Sequence, residues 1–237
     1  LQAGVGVARV IIEKPVGAKQ FLRRRLEKLG WSTVAGQIAF KLLVEKPLKI
    51  GAAGRLAQIK HELALDDSPI PPELVTYVPS INSPEAIAAL QALAPAVVVV
   101  QGTRIISKKV LQSVAAPFIN MHAGITPRYR GVHGGYWALA TADADHCGVT
   151  VHLVDAGIDT GGILAQAPIK PTPADSFVTY PLLQLAAGLP LLVEAVRAAL
   201  AGRLRPLPPP APDTPSRLWS HPTLGQWLSG WRRNGVR

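Results

Sequence analysis

Cysteine is nearly absent from this chain: Cys147 is the only one in 237 residues. No internal disulfide can form and no cysteine cluster can hold a metal, so a reducing cytoplasm is the expected compartment. Long apolar runs are missing too. No stretch reaches the roughly 18 uninterrupted apolar residues of a membrane span. The best candidate, residues 86–100, contains Gln91 and is broken by Pro95, so it reads as a helix followed by a strand. No secretory leader and no internal repeat is visible. Acidic residues are scarce, 15 Asp and Glu against 25 Lys and Arg, for a formal net charge of +10. Residues 1–60 carry 12 Lys/Arg against 3 Asp/Glu and residues 201–237 carry 6 against 1, whereas residues 61–200 carry 7 against 11. The basic excess therefore belongs to the two ends, around a mildly acidic middle, which argues against a nucleic-acid-binding module.

What the chain does have is apolar mass. A hydrophobic content of 48% excludes a disordered tail, and the length suits one domain of about 200 residues with an appendage. Strands are expected at residues 7–12, 74–78, 97–100, 118–121, 149–154 and 163–169. Helices are expected across 17–46 with a joint at Gly30, and at 55–65, 86–93, 107–113 and 133–141. Residues 175–200 read as a long covering helix that Pro181 and Pro190 interrupt or kink. Ser83-Pro84-Glu85 is a helix start, with serine at the cap and proline in the first turn. The run Val97-Val98-Val99-Val100 is typical of a strand covered on both faces. Strands alternating with helices imply an α/β fold with a Rossmann-like, doubly wound, mostly parallel sheet. The segment 206–215, with six prolines, is a stiff strap, and Trp219, Trp227 and Trp231 pack a short tail onto the domain. The expected organisation is a catalytic domain over 1–205 with a helical insertion at 17–65, then the strap and tail over 206–237.

In open α/β sheets, ligands bind beyond the carboxyl ends of strands. Three such ends here carry suggestive residues: Gln101-Gly102-Thr103-Arg104, Asn120-Met121-His122, and Asp155-Ala156-Gly157-Ile158-Asp159. Asn120 and His122 are two apart, so on an extended strand they share a face. An amide donor and an imidazole there can hold a carbonyl oxygen that becomes an oxyanion, while a nearby carboxylate moves a proton. No serine or cysteine lies beside the histidine, so this is acyl transfer without a protein nucleophile.

Four ordered blocks then carry a resemblance: Asn120-x-His122; Pro127-x-Tyr129-x-Gly131-x-His133; Gly148-Val-Thr-Val-His152; and Asp155-x-Gly-x-Asp159-x-Gly161. They resemble the signature of the folate-dependent formyltransferases, a family that includes glycinamide ribonucleotide transformylase, methionyl-tRNA formyltransferase and sugar N-formyltransferases. The resemblance covers about residues 85–170. It implies 10-formyltetrahydrofolate as co-substrate, no metal, and catalytic roles for Asn120, His122 and Asp159. It implies a folate pocket from Gly102, Thr103, Arg104, Ile105 and Ile106 and from the loop Val154, Asp155, Ala156, Gly157 and Ile158. Arg130, Gly131 and His133 would face the amine acceptor. The implied activity is formyl transfer to a primary amine of a small or carrier-bound acceptor, with phosphoribosylglycinamide formyl transfer in purine biosynthesis as the alternative. A non-catalytic remnant is the reading from another class.

Plainer readings stand beside these. His133 is either a substrate contact or a helix-start residue, His152 is a structural hydrogen-bonding residue inside a strand, and Asp155 has the alternative of a turn residue. A metal site from His122, His133, His152 and Asp159 matches no zinc spacing. Gly4-Val5-Gly6 and Gly51-Ala-Ala-Gly54 are turns, and Arg23-Arg24-Arg25 is a solvated helix face, with contact to an anionic partner as the alternative. The 120s loop, Ala123-Gly124-Ile125-Thr126-Pro127, departs from the serine-leucine-leucine-proline form usual in the family, and residues 201–237 are too short for the β-barrel domain of methionyl-tRNA formyltransferase. The chain begins Leu1-Gln2-Ala3 without methionine, and the resemblance makes residues 7–12 a second strand. A preceding central strand of roughly 10 residues with its turn is therefore expected upstream.

Overall fold

The computed structural model describes residues 4–237, so the expectation attached to Leu1-Gln2-Ala3 lies outside the described residues. In chain order the elements begin with β1 (Val10–Glu13), α1 (Ala18–Leu29) and α2 (Trp31–Phe40). A π-helical turn, Lys41–Glu45, joins α2 to α3 (Lys46–Gly51), and α4 (Ala53–Glu62) follows. Next come β2 (Val75–Val78), α5 (Pro84–Leu93), β3 (Val98–Val100), α6 (Lys108–Leu111) and β4 (Phe118–His122). The chain continues through β5 (Arg130–Gly131), α7 (Gly134–Ala140), β6 (Gly148–Leu153), β7 (Ile163–Pro168) and α8 (Tyr180–Leu200). It ends with β8 (Leu218–Trp219) and α9 (Leu224–Asn234).

Local chemistry sets many of these boundaries. Gly30, at φ 78°, separates α1 from α2 as its position suggested. The Ser83 hydroxyl accepts from the Ala86 amide at 3.4 Å and starts α5. Thr223 and Gln226 cap α9 reciprocally, and Gly235, at φ 66°, ends it. The long C-terminal helix differs from expectation. It starts at Tyr180, with Pro181 in its first turn where no amide donor is needed, and it continues through Pro190. Its length and apolarity would suffice to cross a membrane. Here it packs against β6, β7 and β4, with Gly188 allowing close approach to Met121 and Val149.

The principal sheet has the order β3-β4-β6-β7. Only β3 and β4 are parallel; β4–β6 and β6–β7 are antiparallel. The sheet is therefore mixed rather than mostly parallel, because the nine residues between β6 and β7 form a hairpin connection with no crossover helix. β1 and β2 form a separate parallel pair. Among the described residues no strand pairs with the outer edge of β3, and Val99 is 48% exposed there. The four-valine strand is thus not covered on both faces. A third pairing joins β5 to β8, which lays the C-terminal tail alongside the loop that follows β4.

Three apolar clusters support this frame. One, around Val78, Leu90 and Val110, sits beneath β1–β3. A second, around Ile119, Val149 and Val151, lies under α8. The third, around Phe40, Tyr136, Trp137 and Phe177, packs α2, α3 and α9 against α7. In it Trp219 stacks on both Tyr129 (5.8 Å) and Trp137 (4.5 Å), and Trp227 stacks on Trp231 (6.0 Å).

Candidate active site

A cavity of about 900 Å³ opens at the carboxyl ends of β3 and β4, a volume typical of small-molecule sites. Asn120, His122 and Asp159 all line it. β4 presents Asn120 and His122 on one face, and the antiparallel register sets His152 directly opposite Asn120. The Asn120 amide donates to His152 Nε2 at 3.1 Å, while His152 Nδ1–H donates to the Leu153 carbonyl at 2.7 Å. That arrangement engages one amide hydrogen of Asn120, a residue of the cavity wall, and leaves the other without a hydrogen-bond partner among the described residues. An irregularity in the β6–β7 register falls between Val151 and His152 and helps aim the ring.

His122 is held as firmly. Its Nε2–H donates to the Tyr129 carbonyl at 2.7 Å, which assigns the tautomer and leaves Nδ1 facing Asp159 Oδ2 at 3.4 Å. Thr150 supports the intervening loop by donating to the Gly124 carbonyl (2.8 Å) and accepting from the Thr126 amide (3.0 Å). Gly124 is required here: a Cβ would stand 2.3 Å from the Tyr129 carbonyl oxygen and 2.7 Å from His122 Nε2.

Asp159 sits at φ 52°, its carboxylate accepting from the Gly131 amide at 2.8 Å and lying 3.6 Å from His152. Burial alone would raise its pKa, but His152, His122 and the Gly131 amide together hold it below the ordinary carboxylate value. Burial pushes His122 below its usual value, with Asp159 and the Tyr129 carbonyl opposing. At neutral pH the pair is a carboxylate facing an unprotonated imidazole nitrogen, two acceptors poised for one proton.

The remaining sequence-predicted residues divide. Gly102 to Ile106 line the cavity, as do Val154, Asp155, Gly157, Ile158, Gly131 and His133. Ala156 and Arg130 do not. Ala156 is exposed at the loop tip, and Arg130 instead donates to the Ile158 carbonyl at 3.2 Å. The Asp155 carboxylate turns inward on its own loop, accepting from the Gly157 amide (2.9 Å) and the Thr160 hydroxyl (2.7 Å), so it acts as a turn residue. His133 starts α7 at φ 59° and also reaches the cavity, so it satisfies both of its readings. His152 is a hydrogen-bonding strand residue as read, but it also lines the cavity and holds the Asn120 amide.

Other functional residues were not singled out from sequence. Glu13, at the end of β1, accepts from the Arg104 and Ile81 amides and pairs with Arg104 Nε at 2.5 Å, tying down the loop that enters the cavity. Its signal was slight: a single acid closing a β-branched strand. From the tail, His221 lines the cavity together with Trp219, which sequence had read as a packing residue, and Arg25 of α1, read as part of a basic helix face, lines it too; nothing local in the sequence brings segments nearly 200 residues apart together.

Fold and site together define an α/β domain whose Asn-His-Asp group suits attack on a carbonyl carbon. Residues 45–195 match the family described as Formyl transferase, and the chain belongs to it. Methionyl-tRNA formyltransferase from Synechococcus sp. (strain JA-3-3Ab) is 42% identical over 130 residues, 54% of this chain and 39% of that protein. The chain thus spans well under half the length of that relative. The same enzyme from Acidovorax ebreus is 30% identical over 204 residues, 82% of this chain and 61% of the relative. Among solved structures, the formyltransferase PseJ from Anoxybacillus kamchatkensis, in complex with a UDP-linked formamido sugar and tetrahydrofolate, has a TM-score of 0.50 at 24% identity. That match covers 60% of this chain and 72% of the other. A sugar N-formyltransferase from a Shewanella species has a TM-score of 0.51 at 18% identity, covering 77% and 82%. These likenesses establish the shared fold.

Proposed function

We propose that this chain transfers a formyl group from 10-formyltetrahydrofolate to a primary amine. The observation that carries the reading is the convergence of Asn120, His122 and Asp159 in one cavity of a formyl transferase family member. The chemistry of the site suits the co-substrate: the flanking loops offer backbone groups around a cavity of adequate volume, and the only protein groups needed are a donor for an oxygen and an acceptor for a proton.

Asn120 directs its free amide hydrogen at the formyl oxygen, stabilising the negative charge that develops as the amine adds. Asp159 and His122 Nδ1, 3.4 Å apart, receive the proton the amine sheds, and the pair can return it toward the departing folate nitrogen. His152 keeps the Asn120 amide turned toward the reacting oxygen. In a folate-coupled assay, Asp159→Asn and His122→Ala should each lower kcat by about 10²-fold or more. Near wild-type rates in either would overturn the assignment.

For the acceptor, we propose a small or carrier-bound amine. A second reading, an aminoacyl-tRNA amine, is favoured by the names of two relatives, both methionyl-tRNA formyltransferases. Offering purified protein methionyl-tRNA and small amino-sugar or glycinamide nucleotides in parallel separates the two, and complementation of a purine auxotroph tests the glycinamide alternative.

A further inference from the structure

The basic run of α1 is not a purely solvated face. Arg25 and Lys28 line the catalytic cavity, together with His133 and the tail residue His221. The corner is constructed rather than incidental. Arg25 Nη2 donates to the side-chain oxygen of Gln37, a buried residue of α2, and Gln37 in turn donates to the His221 carbonyl at 2.7 Å. His221 Nδ1 shares a 2.9 Å hydrogen bond with His133 Nε2, and Phe177 packs on the His133 ring at 4.4 Å. Insertion, tail and catalytic domain meet at this one place.

Its charge is uncompensated. Among the described residues, Arg25 contacts only the neutral Gln37 amide and the face of Phe21 (5.2 Å), and Lys28 has no carboxylate partner. The nearby acids are engaged elsewhere: Glu27 pairs with Arg23 at 2.8 Å and Glu45 with Lys49 at 3.0 Å. The two acids that line the cavity, Asp155 and Asp159, are committed to their own loop and to the catalytic group. A guanidinium and an ammonium at a partly enclosed wall, beside a hydrogen-bonded pair of neutral imidazoles that keeps one further N–H to offer, present donors and positive potential to an anion. Phosphate matches this set best, since it accepts from a planar guanidinium and from separate N–H donors at once.

We propose that Arg25, Lys28, His133 and His221 form a subsite for a phosphate group carried by a small amine acceptor. The inference rests on the formyl-transfer reading, because it places this phosphate in the same cavity as the reacting amine. It assigns the helical insertion and the tail to acceptor recognition, apart from the loops that meet the folate.

Calorimetric titration of the intact chain with inorganic pyrophosphate tests it, alongside an independent titration with 5-formyltetrahydrofolate. Pyrophosphate should bind the wild type in the millimolar range or tighter, and at least about tenfold more weakly to Arg25→Gln and to Lys28→Gln, while the folate analogue binds all three alike. Lys28 is exposed, so Lys28→Gln keeps the fold and the test stands if Arg25→Gln does not. Undetectable pyrophosphate binding, or equal binding in wild type and Lys28→Gln, overturns the subsite whatever the folate result. Retained pyrophosphate binding without folate binding overturns the formyl-transfer reading instead.

Discussion

Asp159 occupies the left-handed region at φ 52°, a conformation that costs a non-glycine residue about 1–2 kcal/mol. The cost is offset because the carboxylate gains the Gly131 amide and two imidazole neighbours that no extended conformation would supply. Two residues on, Gly161 has no alternative: a Cβ would fall 1.7 Å from the Leu153 carbonyl oxygen. His133 shows the same exchange of stability for position. Burial, then His221, lowers its pKa to about 3, against about 6.5 in an unfolded chain. As pH falls through 6.5, the unfolded state takes up a proton that the folded state refuses, so this histidine stabilises the fold above pH 6.5 and its contribution is lost progressively toward pH 3. The difference in melting temperature between wild type and His133→Gln should therefore shrink as the pH is lowered from 7 to 4. A constant difference across that range would show that His133 is not held neutral.

The tail is the element on which the site most depends. Trp219 stacks on two aromatic rings, donates its indole N–H to the Arg128 carbonyl at 3.1 Å and, through β8, pairs with Gly131. Gly131 in turn holds Asp159. A side chain at Gly131 would collide with the Trp219 carbonyl at 2.3 Å, so strand and tail were shaped for each other. Trp219→Ala should cost about 3 kcal/mol and lower kcat as well as stability, read by denaturant unfolding and by formyl-transfer assay. A variant that is destabilised yet fully active would separate the tail from the catalytic group. The opposite wall is tied by one acid, Glu13, which joins β1 to the Gly102–Ile106 loop.

Across the whole molecule, the cavity lies where the parallel edge of the sheet meets its antiparallel half, and segments from residue 25 to residue 221 line it. Cys147 reports on the integrity of that assembly. It is fully buried in the cluster where α2, α7 and α9 meet, and burial pushes its thiol up to about 12. A thiol reagent should leave it unmodified in the native protein and label one thiol on unfolding. Rapid labelling under native conditions would mean that the insertion and tail do not stay docked.

Two-residue spacing along β4 by itself put Asn120 and His122 on one face, whatever surrounds them. Caps and glycines likewise set most helix limits, since those signals act within a turn of chain. Tertiary structure alone decided the antiparallel half of the sheet, the exposure of Val99 and the continuation of α8 through Pro190. It also decided that His152 orients Asn120 and that Arg25 and His221 share the catalytic cavity. Strand pairing and cavity walls are contacts between segments far apart in sequence, and their energies depend on which surfaces meet, which no local pattern of residues records.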